Sequence, residues 1–320
     1  MPAAPEEARV ARGRDQAAAE VAGVRLTSPG RVLYPGSGAT KRDVAAYYEA
    51  VGEELLRRAA RRPLSVVRCP DGVGGDCFYQ KHPSGAFEPG LPQVRIQEKD
   101  EVDDYHYLAS VADLVSLVQY GALELHVWGS TVDRLEQPDR LVFDLDPSPG
   151  VPFEVTKRTA RRLRELLASL GLPPYLRATG GKGLHVVVPL VPAAGWDEAK
   201  AFAHAVARAL EATDPENLTT ALPKAQRAGQ VFVDYLRNGR GATAVADYSV
   251  RARPGASVAV PLRWDELAAL DSSAAYDMRR VRRRLAALAE DPWAGFEASA
   301  VPLSRELQAA AAGMVPGEGA

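Results

Sequence analysis

The segment Arg140-Leu141-Val142-Phe143-Asp144-Leu145-Asp146 constrains this chain more than any other. It runs into Pro147-Ser148-Pro149-Gly150, a breaker cluster, and so reads as a strand whose end carries two carboxylates. Strand side chains alternate between faces, so Asp144 and Asp146 project side by side from one rigid edge, flanked by the apolar Leu141, Phe143 and Leu145. Two carboxylates held this close repel and resist ionisation unless a cation lies between them. Hard oxygen ligands of this kind suit Mg²⁺ or Mn²⁺. The plainer alternative is a strand end at which Asp146-Pro147 merely opens a turn, because Asp-x-Asp alone is common.

Two further motifs bear on that choice. Thr179-Gly180-Gly181-Lys182-Gly183-Leu184-His185 lies between two expected strands. Glycines let backbone N–H groups turn toward an anion; Lys182 adds a point charge for phosphate, Thr179 a hydroxyl and His185 a ring donor. It is not a Walker loop, since the spacing differs and no helix follows. Its bland counterpart is a tight hairpin that needs glycine. Val231-Phe232-Val233-Asp234-Tyr235 places another carboxylate on an expected strand, where an arginine partner is the ordinary reading. Together with Asp144 and Asp146, Asp234 completes a three-carboxylate set able to hold two metals roughly 4 Å apart.

The surrounding chain of 320 residues has ordinary apolar and charged fractions, as a globular protein does. Residues 1–22 carry almost no large apolar side chains and read as a disordered leader without a signal-peptide core; residues 23–290 are expected as one domain, and residues 291–320 as an extension and tail, frayed from Ala309. No long uncharged apolar run exists, so a cytoplasmic, non-membrane protein is expected. Cys69 and Cys77 suit neither a Cys-x-x-Cys site nor a disulfide framework, and a packed-core role is expected for both. Net charge is −2, but arginine runs such as 279–280 and 282–284 could mark a phosphate-binding face or simply solvated helix sides.

A capping box at Thr40 and Asp43 opens a helix through Arg58, with strands at Leu64–Arg68 and Cys77–Lys81. Further helices are expected at 111–120, 154–170, 196–210 and 264–288, and strands at 123–128, 140–146, 175–178, 184–190, 230–236 and within 242–262. Strands and helices mix without regular alternation, so the class is α+β.

Val32-Leu33-Tyr34-Pro35, Leu141 to Pro147, Lys182-Gly183-Leu184-His185 and Val231 to Asp234 resemble, in order, the motifs of the polymerase domain of bacterial ATP-dependent DNA ligase D, within the archaeo-eukaryotic primase superfamily. The resemblance runs from about Val24 to Glu290. It implies a primase-like catalytic core of mixed sheets flanked by helices, two divalent ions (Mn²⁺ or Mg²⁺), and nucleoside triphosphates added preferentially as ribonucleotides. Gapped or broken DNA with a 5′-phosphate would be the substrate, in the bacterial nucleoid, with Ku and a separate ATP-dependent ligase as partners. By motif match, Asp144, Asp146 and Asp234 are metal ligands; Thr179, Gly180, Lys182 and His185 hold the nucleotide, helped by His126 near its ribose and Arg251 near its phosphates. Arg31 and Lys41 match positions that grip the downstream 5′-phosphate, and Phe78 and Tyr79 an aromatic pair that stacks on the template. Threonine at 179, arginine at 31 and tyrosine at 79 depart from the usual serine, lysine and phenylalanine.

Two rivals remain on sequence alone. A Mn²⁺-dependent glycosyltransferase also uses Asp-x-Asp, but leaves Asp234 and the Lys182–His185 cradle without a shared explanation. A non-catalytic DNA-end binding module would use the basic helices and none of the carboxylates.

Overall fold

Thr40 starts the first helix, Lys41–Ala59: its hydroxyl accepts from the Asp43 N–H, and the Asp43 carboxylate accepts from the Thr40 N–H. That reciprocal pair satisfies donors the helix end would otherwise orphan. Val44, Tyr47, Tyr48, Val51 and Leu55 recur at helical spacing and are buried. The two tyrosine hydroxyls donate to backbone carbonyls, Tyr47 to Tyr248 at 2.8 Å and Tyr48 to Leu123 at 2.6 Å, so the helix buries rings without stranding a polar group.

The computed structural model describes residues 19–85 and 89–315. Two six-stranded sheets dominate it. The first runs, in spatial order, Leu218–Thr219, Val231–Asp234, Arg140–Pro147, Leu184–Pro189, Tyr175–Ala178 and Val260–Leu262. Every neighbouring pair is antiparallel except Leu218–Thr219 with Val231–Asp234. The second sheet runs Thr243–Val245, Ala122–Trp128, Leu64–Arg68, Val102–His106 and Gln93–Gln97, with Phe78–Gln80 also paired to Leu64–Arg68. The class is α+β, as the sequence pattern implies.

The strand Arg140–Pro147 lies third in its sheet, and its alternation decides where chemistry can sit. Leu141, Phe143 and Leu145 are fully buried in the main core with Leu163, Phe202 and Val206 of the helices Phe153–Ser169 and Trp196–Ala212. Burying each is worth about 1.5–3 kcal/mol. Asp144 and Asp146 are thereby turned to the opposite face, and a slip of one residue would put both carboxylates in the core.

Several expectations are corrected. Cys69 and Cys77 are joined in a disulfide, and Cys77 is exposed rather than in the core. The cause is hairpin register: Leu64–Arg68 pairs antiparallel with Phe78–Gln80 and Arg68 lies opposite Phe78, so the next pair outward is Cys69 and Cys77. The stretch expected as one helix over 264–288 is a short 3₁₀ turn, Trp264–Leu267, then irregular chain, then the helix Met278–Ala287 capped by Asp277. The interruption places Ser273, 1% exposed, against the glycine loop. Within 242–262 only Thr243–Val245 and Val260–Leu262 are strands.

The hairpin Gln93–Gln97/Val102–His106 was not foreseen in the acidic stretch around Glu98. Of the expected leader, residues 1–18 lie outside the described residues, whereas Ala19–Val21 pairs with Val24–Leu26. The chain beyond residue 290 is integral: Trp293 and Phe296 are buried, and the Trp293 indole donates to Leu176 O at 2.8 Å. Ala309 does not fray but lies inside the helix Arg305–Gly313. Among the described residues no helix is long and apolar enough to cross a membrane.

Candidate active site

Register sets two of the three carboxylates face to face. Asp144 lies directly opposite Asp234 on the neighbouring strand, and Asp146 follows two residues along. Arg237 sits between the first two, its guanidinium 3.3 Å from Asp144 Oδ2 and 3.2 Å from Asp234 Oδ2. Asp234 also accepts from the Leu236 N–H at 2.8 Å. One guanidinium does not compensate three carboxylates. Burial, and then Asp144, push the Asp146 and Asp234 carboxyls above their ordinary range. Asp144 itself, despite burial, is held well below that range by His185 and Arg237. Among the described residues no three His, Cys, Asp or Glu side chains are gathered to metal-ligating geometry. The donor set nevertheless fits hard divalent ions, since it is all carboxylate oxygen and short of positive charge.

His185 is 4% exposed and faces Asp144 with Nε2, at 3.4 Å. Its Nδ1 accepts from Arg177 Nη2 at 2.9 Å, which fixes the tautomer with hydrogen on Nε2. Burial, together with Arg177 and Arg237, lowers its pKa to about 4 against the pull of Asp144. Arg177 in turn donates to Asp247 Oδ1 at 2.8 Å; Asp247 Oδ2 accepts from Arg58 Nε at 2.8 Å, and Arg58 Nη1 reaches Asp291 at 2.8 Å. A buried chain of charge-assisted bonds therefore runs from the first helix to the candidate metal ligand. His185, expected to hold the nucleotide, lines the cleft, with Nδ1 accepting from Arg177 and Nε2 facing Asp144.

The glycine loop is built by close approach. A Cβ at Gly183 would lie 2.1 Å from Leu145 O, so this loop packs directly onto the carboxylate strand. Gly180, at φ +67°, takes a left-handed conformation against Val258 and supports the loop from behind rather than lining the cleft. The Thr179 hydroxyl donates to Gly183 O at 2.9 Å and accepts from the Gly181 N–H at 3.2 Å. Ser273 Oγ donates to Gly183 O at 2.5 Å and accepts from the Thr179 N–H at 2.9 Å. Thr179 thus lines the cleft, and its hydroxyl also shapes the loop. Lys182 is exposed at the rim.

The opposite wall comes from the second sheet. His126 Nε2 lies 2.8 Å from Glu124 Oε1, and Arg251 Nη2 is 2.9 Å from the same oxygen. Despite burial, His126 and Arg251 hold the Glu124 carboxyl down to about 2. Arg251 also donates to Thr179 O at 2.5 Å, tying the two walls together. The Tyr79 hydroxyl is 2.8 Å from Thr243 Oγ1 and its ring meets His126 edge-on, 5.6 Å between centroids. Phe78 points away, beneath the Arg68 guanidinium at 5.5 Å. Both aromatics are 46% exposed.

Between these walls is a cleft of about 260 Å³ lined by His126, Asp144, Asp146, Thr179, Lys182, His185, Arg237 and Arg251 among others. Asp234 lies under Arg237 and is not part of the lining. Sequence reasoning missed Glu124, Arg177, Arg237, Asp247, Arg253 and Ser273. Arg237, three residues beyond Asp234, was the most visible of them; the rest act through tertiary contacts that no local spacing signals.

Arg31 and Lys41 converge on one side of the strand pair Val32–Tyr34/Ala39–Thr40, whose ends they flank. Arg31 is half-exposed, donating to Pro70 O at 2.7 Å, with Asp71 at 3.7 Å. Lys41, the other residue expected at the 5′-phosphate, lies beside Arg31. It is 6% exposed, and its ammonium donates to Thr27 O, Gln119 O and Gln119 Oε1 at 3.0, 3.3 and 3.4 Å. Burial and the nearby Arg31 lower its pKa.

Comparison with known proteins accords with this geometry. The family model for the LigD primase-polymerase domain matches residues 40–293. The chain is 39% identical over 314 residues to the multifunctional non-homologous end joining protein LigD of Pseudomonas aeruginosa, covering 96% of this chain and 37% of that one. It is 37% identical over 252 residues to the corresponding LigD of Mycobacterium tuberculosis, covering 76% and 33%. The chain thus spans about a third of the length of these curated relatives. The solved polymerase domain of Mycobacterium tuberculosis ligase D, in complex with DNA, superposes with a TM-score of 0.78 at 34% identity, covering 87% of this chain and 99% of that one. The chain belongs to the LigD primase-polymerase domain family.

Proposed function

We propose that this chain transfers nucleotides, directed by a template, onto the 3′-hydroxyl of DNA at short gaps or breaks. The single observation that carries the reading is the Asp144–Asp234 pairing with Asp146 alongside, beside a cleft whose rim carries Lys182, Arg251 and Arg253. Asp144, Asp146 and Asp234 would hold two divalent ions, Mn²⁺ or Mg²⁺. When bound, such ions lower the pKa of the attacking hydroxyl and neutralise charge on the departing pyrophosphate. Lys182, Arg251 and Arg253 hold the triphosphate as fixed cations. His185 keeps Asp144 ionised and oriented, and Arg237 supplies the charge that lets Asp144 and Asp234 sit opposite each other.

His126, held by Glu124 and facing the cleft, is placed to read a ribose 2′-hydroxyl and so to favour ribonucleotides. Tyr79 at the cleft mouth offers a stacking surface for a template base. Arg31, with the field of Lys41 behind it, attracts a downstream 5′-phosphate. Recruitment by Ku and hand-over to an ATP-dependent ligase fit the end-joining names of the relatives. A glycosyltransferase reading leaves the Asp234 pairing unused, and a purely DNA-binding module leaves all three carboxylates unused.

The test is single-nucleotide incorporation on a gapped duplex, with and without a 5′-phosphate, using matched ribo- and deoxyribonucleotides and Mn²⁺, Mg²⁺ or chelator. Template-dictated addition that stops with chelator supports the reading. Metal-independent or template-independent addition, or none, contradicts it.

A further inference from the structure

A second concave surface lies outside the carboxylate cleft. It is a groove of about 650 Å³ between the start of the helix Lys41–Ala59 and the helix Met278–Ala287. Ser37, Gly38 and Ala39 form one end, Gly255 and Ala256 another, Tyr47 part of the floor, and Arg279, Arg282 and Arg283 one wall. The helix Met278–Ala287 is anchored by Val281, fully buried, with Leu285 packed against the core. Positions 279, 282 and 283 stand at i, i+3 and i+4, one face of a helix.

All three arginines are exposed, and none makes an ion pair or side-chain hydrogen bond among the described residues. Their neighbours show the contrast: Arg280 donates to Ala275 O at 2.6 Å, and Arg284 pairs with Glu266 at 2.8 Å. The two acids in the groove are already used as helix caps. Asp43 accepts from the Thr40 N–H, and Asp277 accepts from the Arg280 N–H. The wall thus sets three exposed guanidiniums on one helix face against the two groove carboxylates Asp43 and Asp277, a net positive surface suited to a polyanion.

Its place in the fold says which polyanion. The 37–39 turn belongs to the strand pair whose ends carry Arg31 and Lys41, with Lys41 N donating to Arg31 O at 2.8 Å. On the other side, the loop that brings Gly255 and Ala256 to the groove is the one that carries Arg251 and Arg253 into the cleft. The Tyr34 hydroxyl donates to Arg251 O at 3.0 Å, so strand pair and loop touch. The groove is thus continuous with the 5′-phosphate side of the site, where duplex DNA beyond a gap continues.

We infer that Arg279, Arg282 and Arg283 track the phosphate backbone of the duplex downstream of the gap, extending the DNA footprint past the 5′-phosphate. The inference rests on the gap-filling reading above. It involves backbone contacts only, without base preference, because guanidiniums on an exposed helix face reach phosphates.

The experiment measures affinity for gapped duplexes carrying a 5′-phosphate, as the downstream duplex is lengthened from a few to about 15 base pairs, across a salt series. The whole chain is compared with R279Q/R282Q/R283Q and with R282E/R283E. In the unaltered chain, lengthening the downstream arm strengthens binding, and lengthening the upstream arm serves as control. The triple variant, with its melting temperature unchanged, loses that gain, and its log K against log salt slope falls by about 2 to 3, near one per phosphate contact. Single-nucleotide incorporation at saturating DNA stays as in the unaltered chain.

A variant that keeps the downstream gain and the slope overturns the inference. So does one that weakens binding equally whichever arm is lengthened, which marks general attraction only. If the unaltered chain shows no preference for a 5′-phosphorylated gap, the gap-filling reading fails and this inference with it.

Discussion

Gly183→Ala tests whether the glycine loop and the carboxylate strand work as one unit. A Cβ at position 183 would stand 2.1 Å from Leu145 O, 3.0 Å from Leu145 C and 3.4 Å from Asp146 Cα. Non-bonded carbon contacts are comfortable near 3.5 Å, so relief requires a shift of about 1 Å between two backbone segments. No flexible side chain can absorb it, because the obstructing atoms belong to the peptide between Asp144 and Asp146. The strand is pinned on both sides, to Val231–Asp234 and to Leu184–Pro189, so the strain falls on the carboxylates. Overpacking of this kind costs about 1–3 kcal/mol in stability. A reacting group misplaced by about 1 Å costs on the order of 10²-fold in rate.

The assay pairs denaturant unfolding with single-nucleotide incorporation. Gly181→Ala is the control, because its Cβ would meet only side-chain atoms, at 3.3 Å from Thr179 Oγ1 and 3.4 Å from Arg251 Nη1. Gly183→Ala should lose both stability and at least about 10²-fold in incorporation, while Gly181→Ala loses much less. Unchanged incorporation in Gly183→Ala at normal stability would refute the coupling of loop to strand.

Arg177→Met removes the donor to His185 Nδ1 and leaves buried Asp247 with Arg58 as its remaining cation; a loss of about 3–5 kcal/mol in denaturant unfolding is expected, and an unchanged midpoint would remove this network from the account. Opening the Cys69–Cys77 disulfide with reductant, or by Cys77→Ser, frees a turn of sequence separation 8; loop closure predicts a loss of about 2.5 kcal/mol, and a melting curve indifferent to reductant contradicts it. Arg140 and Arg62 hold the Asp139 carboxyl, despite its burial, down to about 2. Its folded pKa is depressed from about 3.9, so its contribution of about 2–3 kcal/mol is present above pH 4 and is lost as pH falls toward 2. Asp139→Asn should flatten the stability profile in that window, and a profile parallel to that of the unaltered chain would count against the assignment.

Most secondary structure was legible because local signals agreed with tertiary demands. The Thr40/Asp43 capping box and the spacing of Val44 to Leu55 placed the first helix within a residue of its end. The alternation of Leu141, Phe143 and Leu145 fixed which face the aspartates take. What failed did so where pairing across the chain decided the outcome. Cys69 and Cys77 were judged by spacing along the sequence, whereas hairpin register puts them opposite each other. Ser273 broke an apparently continuous helix because its hydroxyl is needed by Thr179 and Gly183, about 90 residues earlier in the chain.

Within the site, residue types were readable but their partners were not. His185 and Thr179, expected to hold the nucleotide, line the cleft, and their polar atoms meet Arg177, Asp144, Gly181 and Gly183, partners that no sequence spacing announces. Lys41, expected with Arg31 at the 5′-phosphate, is enclosed by carbonyl and amide oxygens of Thr27 and Gln119, which no spacing signals. Polar side chains near a cleft divide between touching ligand and holding one another. That division depends on distances, which sequence spacing does not encode.

The central claim is that Asp144, Asp146 and Asp234 act together as the metal-dependent centre of nucleotide transfer. It is tested most directly by incorporation on a 5′-phosphorylated gapped duplex with Mn²⁺, comparing the unaltered chain with Asp144→Ala, each at DNA concentrations above its measured dissociation constant. Incorporation that falls to background while DNA affinity is retained is the predicted result. Incorporation by Asp144→Ala at the rate of the unaltered chain would contradict the account.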